Sequence, residues 1–482
     1  MTGTARDRAW ALALTSVGSF MVILDMLVVA TALSAIQRDF HASLADLEWT
    51  VTAYSLSFAA LLMTASVLGD RFGRRRIFAI GLALFGFASA ACARAPSIGW
   101  LIVERIIQGT GAAVIMPMAL ALLNAAFPPQ RRGWAIGVYG GVTGLGALLG
   151  PIIGGAVTEG LSWQWIFWLN VPIAAVAIPL VLTRLPESRG AARRADLPGL
   201  LVFSAGVLAL VWGLVRGGDA GWGSGEVVGT LVAGLLLVAV FVGWQRRTTA
   251  PMIPLRLFRS RAFSAGNVAI FFLNASMSGA VFLTAQFQQI ALGHGPLNAA
   301  LRLLPWGVAP FLIAPLAGSL AARVGARRLA VTGLLLQGAG MGWTGLASHP
   351  GVGYATLVVP ISLSGIGFAA AIPILTRSAV SDVDLSDVGT ASGVYSTFRQ
   401  LGGAFGVAVL GALFAGFGGY DSAAVFSDGY TAAMLAAAAA ALIGATVSVG
   451  LPTTVRRLVP PAERDASSTS ELLSAGRGAD PG

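Results

Sequence analysis

Apolar stretches long enough to cross a bilayer alternate along the chain with short polar turns. A spanning helix needs roughly 20 mainly apolar residues. Runs of that kind fall near 10–35, 48–68, 77–94, 98–123, 134–157, 165–183 and 198–216. They continue near 226–244, 262–291, 298–320, 329–347, 352–376, 391–416 and 429–451. Fourteen membrane helices are therefore expected, and an even number returns both termini to one side. The first run, from Trp10 to Ala35, exceeds the core of a signal peptide and carries an acid, Asp25, so it reads as a retained span.

The arginines test this topology independently, because short cytoplasmic loops retain positive charge. The turn at 69–76 holds Arg71, Arg74, Arg75 and Arg76, and every second turn after it is basic as well. The intervening loops hold only Arg38, Arg94 and Arg216. One missed helix would scramble this asymmetry, so the basic face is expected to be cytoplasmic and to carry both termini.

The pattern repeats. Leu68, Arg71, Gly73, Arg75 and Arg76 find their like 252 positions later, in Leu320 to Arg328. Gly109, Gly111 and Pro117 match Gly365, Gly367 and Pro373 at an offset of 256, and Gly137, Tyr139, Gly146 and Gly150 match Gly393, Tyr395, Gly402 and Gly406 at the same offset. The expected fold is all-α: two six-helix bundles of like orientation, with two further helices inserted between them. The division expected is 1–184 for the first bundle, 185–261 for a linker carrying the two extra helices, 262–452 for the second bundle and 453–482 for a cytoplasmic tail without a core. Parallel repeats of this kind place a substrate site between the halves near the midplane.

Composition narrows the class. The 482 residues are 56% hydrophobic and 11% charged, with a mean hydropathy of +0.78. A soluble domain carries roughly a quarter charged residues, so a soluble globule is excluded. The net charge of +10 is all arginine, set in turns without aromatic platforms, which argues against nucleic-acid binding. The single Cys92 lies in an apolar run and offers neither a disulfide framework nor a thiolate metal site. His41, His294 and His349 fall at loops or helix ends and read as solvated side chains. No cofactor or metal is expected.

Asp25 is the strongest candidate for chemistry, since an acid at the centre of a membrane helix costs roughly 2.5–3.5 kcal/mol on insertion scales. Arg105 is its natural partner. Asp25 lies ~22 Å from the inner face and Arg105 ~10 Å from the outer one at 1.5 Å per residue, which brings them to similar height in a core of ~30 Å. A static ion pair and a protonation switch both satisfy this placement. Glu104 points about 100° away from Arg105 around the helix, toward either the cavity or a helix edge. No acid occurs between Val227 and Ser381. Asn267 and Asn274 share one helix face with Ser278, and Gln286 follows; with Phe271, Phe272 and Trp306 they suit a largely apolar, neutral ligand.

Several stretches resemble the major facilitator superfamily and, within it, the fourteen-span drug:proton antiporters. Gly69-Asp70-Arg71-Phe72-Gly73-Arg74-Arg75 resembles the superfamily's loop 2–3 motif, with Ser66 where the leading glycine stands. Arg105-Ile-Ile-Gln108-Gly109 resembles the motif associated with proton coupling. Gly146, Gly150, Pro151, Gly154 and Gly155 match the antiporter motif of the fifth helix. Leu24-Asp25 resembles the first-helix motif, although Leu27, Ala30 and Ser34 replace its usual Thr, Asn and Pro. The run from Trp165 to Pro172, with Asn170, and the run from Arg399 to Gly403 are similar to the family too.

The resemblance implies proton coupling by Asp25, Arg105 and Glu104, and a conformational latch built from Asp70, Arg71, Gly73 and Arg74, with the acid capping the thirteenth helix near 389–392. It adds Gln108 and Arg399 to the candidate cavity of Asn267, Asn274, Gln286 and Trp306. The expected function is proton-coupled export of lipophilic small molecules, such as drugs or antibiotics, across the cell membrane, with the bilayer, the substrate and protons as partners. Uptake or exchange of a metabolite and lipid translocation are the alternatives within transport. An enzyme acting on lipid-linked substrates would need acids or histidines grouped in a sizeable loop, and the longest inner loops, about 184–197 and 245–261, are short and basic.

Overall fold

The computed structural model describes residues 5–189, 196–249, 251, 253–381, 383 and 388–452. Every regular element among them is helical. The first part of the chain forms α1 (Ala5–Phe40), α2 (Leu44–Phe72), α3 (Arg74–Cys92), α4 (Ile98–Ala126), α5 (Pro129–Gly160), the short α6 (Trp165–Trp168) and α7 (Asn170–Arg184). Then come α8 (Leu197–Ala220) and α9 (Gly225–Arg247). The remainder forms a 3-10 turn (Leu255–Arg259), α10 (Arg261–Gln286) with a π turn (Phe287–Ala291), α11 (Pro296–Arg302), α12 (Leu304–Val324), α13 (Ala326–Ala347), α14 (Tyr354–Ser381), α15 (Val388–Phe417) and α16 (Ala423–Ser448).

Among the described residues, eleven spans are long and apolar enough to cross a membrane, and the bent α2 makes twelve. α12 and α13, of 21 and 22 residues, have the length of a bilayer core, so the fourteen expected spans are compatible with the structure. Two of those spans are each built from two helices: 165–183 breaks at Leu169 between α6 and α7, and 298–320 breaks at Leu303 just before Pro305. The outward faces are apolar. Phe87 and Leu346 are 77% and 72% exposed, a cost in water that lipid removes.

Polar side chains start the helices at the chain's turns. Ser43 Oγ accepts from the Asp46 N–H at 3.2 Å, and the Asp46 carboxylate accepts from the Ser43 N–H at 3.0 Å, a reciprocal cap that satisfies two orphan donors of α2. Ser97, Ser224, Ser260 and Ser422 each accept from the N–H three residues on. The α2–α3 and α12–α13 turns share one device: Gly73 at φ +109° and Gly325 at φ +95°, with each N–H closing onto the carbonyl four residues back. Other residues are strained at such φ values.

The internal repeat is present in the packing. Gly109 of α4 faces Tyr54 of α2, and Gly365 of α14 faces Trp306 of α12; Gly111 faces Phe85 of α3, and Gly367 faces Gly333 and Gln337 of α13. Gly146 lies on Phe20 of α1 as Gly402 lies on Phe271 of α10. In the first set α1 packs on α5 and α4, α2 on α4, and α3 on α4 and α7. In the second set α10 packs on α15 and α16, α12 on α14, and α13 on α14 and α16.

The two sets meet through α2–α15, α5–α11 and α1–α10. Away from the basic turns, Ser34 donates to Gln289 Oε1, and Glu159 Oε2 accepts from the Leu297 N–H at 3.0 Å. α8 and α9 form a separate hairpin. It closes through glycines, with Gly206 against Val238 and Gly234 against Leu210, and α8 lies on both α2 and α15.

Candidate functional site

Asp25 sits where α1, α4 and α7 converge. Arg105 Nη1 donates to Asp25 Oδ2 at 2.6 Å, and both residues are sealed, at 0% and 1% exposure. The second carboxylate oxygen, Oδ1, accepts from Gln108 Nε2 at 2.8 Å and Asn170 Nδ2 at 2.7 Å. Ser89 of α3 accepts from the same two amides, at 2.8 and 3.3 Å. Arg105 also donates to the Thr50 carbonyl at 3.1 Å and to Gln108 Oε1 at 2.6 Å. Its guanidinium carbon stands 4.2 Å from the centre of the Tyr54 ring, an aromatic face that stabilises a desolvated cation.

Every part of this cluster has a local reason. Arg105 and Gln108 lie three residues apart and share one face of α4. Gly109 and Gly111 let α4 approach α2 and α3 so closely that a methyl group on either would overlap Tyr54 or Phe85. Asn170 reaches inward because the break at Leu169 places it in the first turn of α7. Taking two charges out of water costs several kcal/mol per ion, and the five amide and guanidinium bonds made by Asp25 and Arg105 offset that cost. The arrangement holds a carboxylate only while its donors stay in place; a proton on Asp25 would remove the acceptor the guanidinium needs.

Glu104 is half-buried and contributes no hydrogen bond to this cluster. The candidate cavity residues make separate contacts. Gln108 is locked into the ion-pair cluster, and Gln286 Oε1 accepts from Tyr420 Oη at 2.5 Å, near the end of the molecule away from the basic turns. Asn267 and Asn274 donate to carbonyls of their own helix, Phe263 at 2.8 Å and Ile270 at 3.0 Å. Trp306 packs on Phe368 at 5.8 Å. Arg399 is partly exposed on α15.

The glycines of α5 lie along α1. Gly146 abuts Phe20, Gly150 abuts Leu24 and Leu27, and Gly154 abuts Val28 and Thr31, so the helix carrying Asp25 is gripped over three turns. Gly155 points the other way, onto Pro296 and Leu297 of α11. Pro151 stands inside α5 between these contacts.

In the basic turn, Asp70 pairs with Arg74 at 2.8 Å, and the Arg71 guanidinium lies 5.2 Å from the Phe72 ring. A second acid is present that the sequence reading did not single out. Glu187 Oε1 accepts from the Arg75 N–H at 2.9 Å, and its carboxylate lies 3.7 Å from the side chains of Arg75 and Arg76. Arg74 N–H donates to the Ser188 carbonyl at 2.9 Å. A side chain on Gly73 would strike the Glu187 carboxylate. The signal for Glu187 was its isolation among Arg184, Arg189 and Arg193. Asn170 stood in the run Trp165 to Pro172 that is similar to the family, and Ser89 had no signal beyond lying in an apolar helix.

A multi-pass helical protein whose two sets of helices repeat one packing scheme, with a buried ion pair in one of them, has the architecture of a membrane transporter rather than an enzyme. The comparisons with known proteins give that class a family. Residues 15–407 and 306–477 match the Major Facilitator Superfamily, and the chain belongs to it. It is 37% identical over 414 residues to the tetracenomycin C resistance and export protein of Streptomyces glaucescens, covering 85% of this chain and 77% of that one. It is 36% identical over 412 residues to the multidrug resistance protein Stp of Mycobacterium tuberculosis (strain CDC 1551 / Oshkosh), covering 85% and 76%. Its fold is similar to the crystal structure of a bacterial homologue of the human lysosomal transporter Spinster, with a TM-score of 0.68 at 16% identity, covering 93% of this chain and 97% of that one.

Proposed function

We propose that the protein exports lipophilic small molecules of the antibiotic class by alternating access, driven by protons, from the cytoplasmic side of the cell membrane. The observation that carries this reading is the sealed Asp25–Arg105 pair with Gln108 and Asn170 on its second oxygen. In this reading Asp25 is the proton carrier. The ionised acid is held by Arg105; when the helices move apart the desolvated acid takes a proton, and rejoining releases it. A proton moving inward gains roughly 2.3 kcal/mol per 100 mV, which biases the cycle toward export. The arginine asymmetry supports cytoplasmic termini, and the repeat supports 1–184 and 262–452 as the two halves that rock, with 185–261 between them. Asp70, Arg71, Gly73 and Arg74 act with Glu187 as a latch on the cytoplasmic face. The glycines of α5 hold α1 in register during the motion.

The relatives' printed substrates supply the first test. Purified protein in proteoliposomes with an imposed pH gradient is expected to accumulate tetracenomycin C or a lipophilic dye in the direction opposite to proton flow, and collapse of the gradient should release it. Accumulation that ignores the gradient would rule out proton drive.

A further inference from the structure

Tyr139 and Tyr395 occupy equivalent places in the two repeats. Each phenol bonds within its own half: Tyr139 Oη to Ser19 Oγ at 2.7 Å, and Tyr395 Oη to Thr376 Oγ1 at 2.5 Å. Arg399, one turn beyond Tyr395 on α15, lies within electrostatic range of both hydroxyls. A single cation therefore stands where the two halves face each other. Its counterpart in the first repeat is Thr143, whose hydroxyl donates to the Tyr139 carbonyl at 2.8 Å, so the charge has no twin.

Arg399 makes no hydrogen bond or ion pair among the described residues, and its Nε is buried without an acceptor. Arg105, which is fully buried, donates instead to three acceptors. None of the helices α10 to α15 supplies an acid to compensate Arg399, because they contain no Asp or Glu. A membrane-embedded cation left unpaired is costly, and the cost falls when an anion docks. The guanidinium offers a planar fork that matches a carboxylate, and the two phenol rings add aromatic faces.

We propose that Arg399, flanked by Tyr139 and Tyr395, binds the acidic group of a planar lipophilic organic acid. The inference rests on the export reading and names its substrate class: aromatic compounds carrying one carboxylate or acidic phenol, rather than the neutral ligand that the run without acids suggested.

The test uses the purified full chain and three fluorescent probes that differ only in charge: anthracene-9-carboxylate, its methyl ester and 9-(aminomethyl)anthracene. Wild-type protein is expected to bind the carboxylate at least about tenfold more tightly than the ester, with the amine weakest. Arg399→Gln should lose about 10- to 100-fold on the carboxylate, the range of hydrogen bonds to a charged group, and leave ester binding nearly unchanged. Ester binding thus reports that the variant is folded. Arg399→Lys should keep part of the preference, and Tyr139→Phe, which keeps the ring face and removes only the hydroxyl bonded to Ser19, should leave it intact. Equal affinity of wild-type protein for acid and ester overturns the proposal whatever the variants do, as does an equal loss of both probes in a folded Arg399→Gln protein. Transport of neutral compounds with no preference for the acid defeats this inference but leaves export standing; failure to transport any compound defeats the export reading itself.

Discussion

Ser276 occupies in α10 the position that Asp25 occupies in α1. The residues before them, Ala275 and Leu24, lie against the equivalent glycines Gly406 and Gly150. Ser276 Oγ lies 2.9 Å from Met341 Sδ and 3.3 Å from Gln337 Nε2, so a neutral cluster stands where the first half holds a carboxylate. By the same repeat Ile361 takes the place of Arg105, and Ser364 that of Gln108. The duplicated scaffold has kept its packing in both halves and its buried charge in one.

Coupling is therefore expected to depend on the first half. Asp25→Asn should abolish transport driven by a pH gradient in proteoliposomes and leave equilibrium binding of substrate in place. A mutant that still concentrates substrate would make the pair purely architectural. Arg105→Ala removes one partner of a buried pair and should destabilise the protein by about 3–5 kcal/mol. The double variant Asp25→Asn/Arg105→Gln leaves no uncompensated charge and should recover much of the thermal stability without recovering transport.

At the basic turn, Gly73→Ala forces a side chain into a left-handed backbone and onto the Glu187 carboxylate. Strain alone accounts for about 1–2 kcal/mol. Glu187→Gln keeps the shape but removes the charge that gathers Arg75 and Arg76. Turnover in proteoliposomes should fall for both variants, while substrate affinity stays within about twofold, the spread of ordinary surface substitutions. A matching loss of affinity would place this turn in the binding site instead of the latch.

The α5 stripe separates packing glycines from idle ones. Gly154→Val would drive two methyl groups into Val28 and Thr31 of α1, whereas Gly140→Ala meets open space. Overpacking of this kind typically costs about 1–3 kcal/mol. Gly154→Val is expected to lower both melting temperature and transport; Gly140→Ala should raise helix stability by up to about 1 kcal/mol and leave transport intact. Indifference to Gly154→Val would show that α1 is not gripped by α5.

Much of this was legible before any coordinates. Apolar runs and arginine placement gave the expected helices, because a bilayer fixes span length and charge bias independently of tertiary detail. Asp25 and Arg105 could be matched by depth alone, as 1.5 Å per residue leaves little freedom. Gln108 was read as cavity-lining although its spacing from Arg105 already placed it on the same face. What stayed hidden depended on breaks and long-range approach. Asn170 joins the cluster only because the helix interrupts at Leu169, and Glu187 meets the α2–α3 turn from 112 residues away. Asn267 and Asn274 each donate to a carbonyl of their own helix and Gln286 meets Tyr420; sequence does not say which polar residues on a helix bond to their own backbone.

The position of α8 has a mechanical consequence. Phe203, Val207, Val211 and Val215 fill the groove along α2 and α15, and the Trp212 ring lies tilted against Trp49, with centroids 5.6 Å apart. A rigid body that touches both moving parts at their common seam is displaced least if the seam is the pivot. The inserted hairpin then serves as a bearing that guides the swing, and the far contacts, such as Ser34 with Gln289, are where the arc is longest. A disulfide between Trp49→Cys and Trp212→Cys should accordingly leave transport running, while one between Ser34→Cys and Gln289→Cys should arrest it; arrest by the first tether would move the pivot elsewhere.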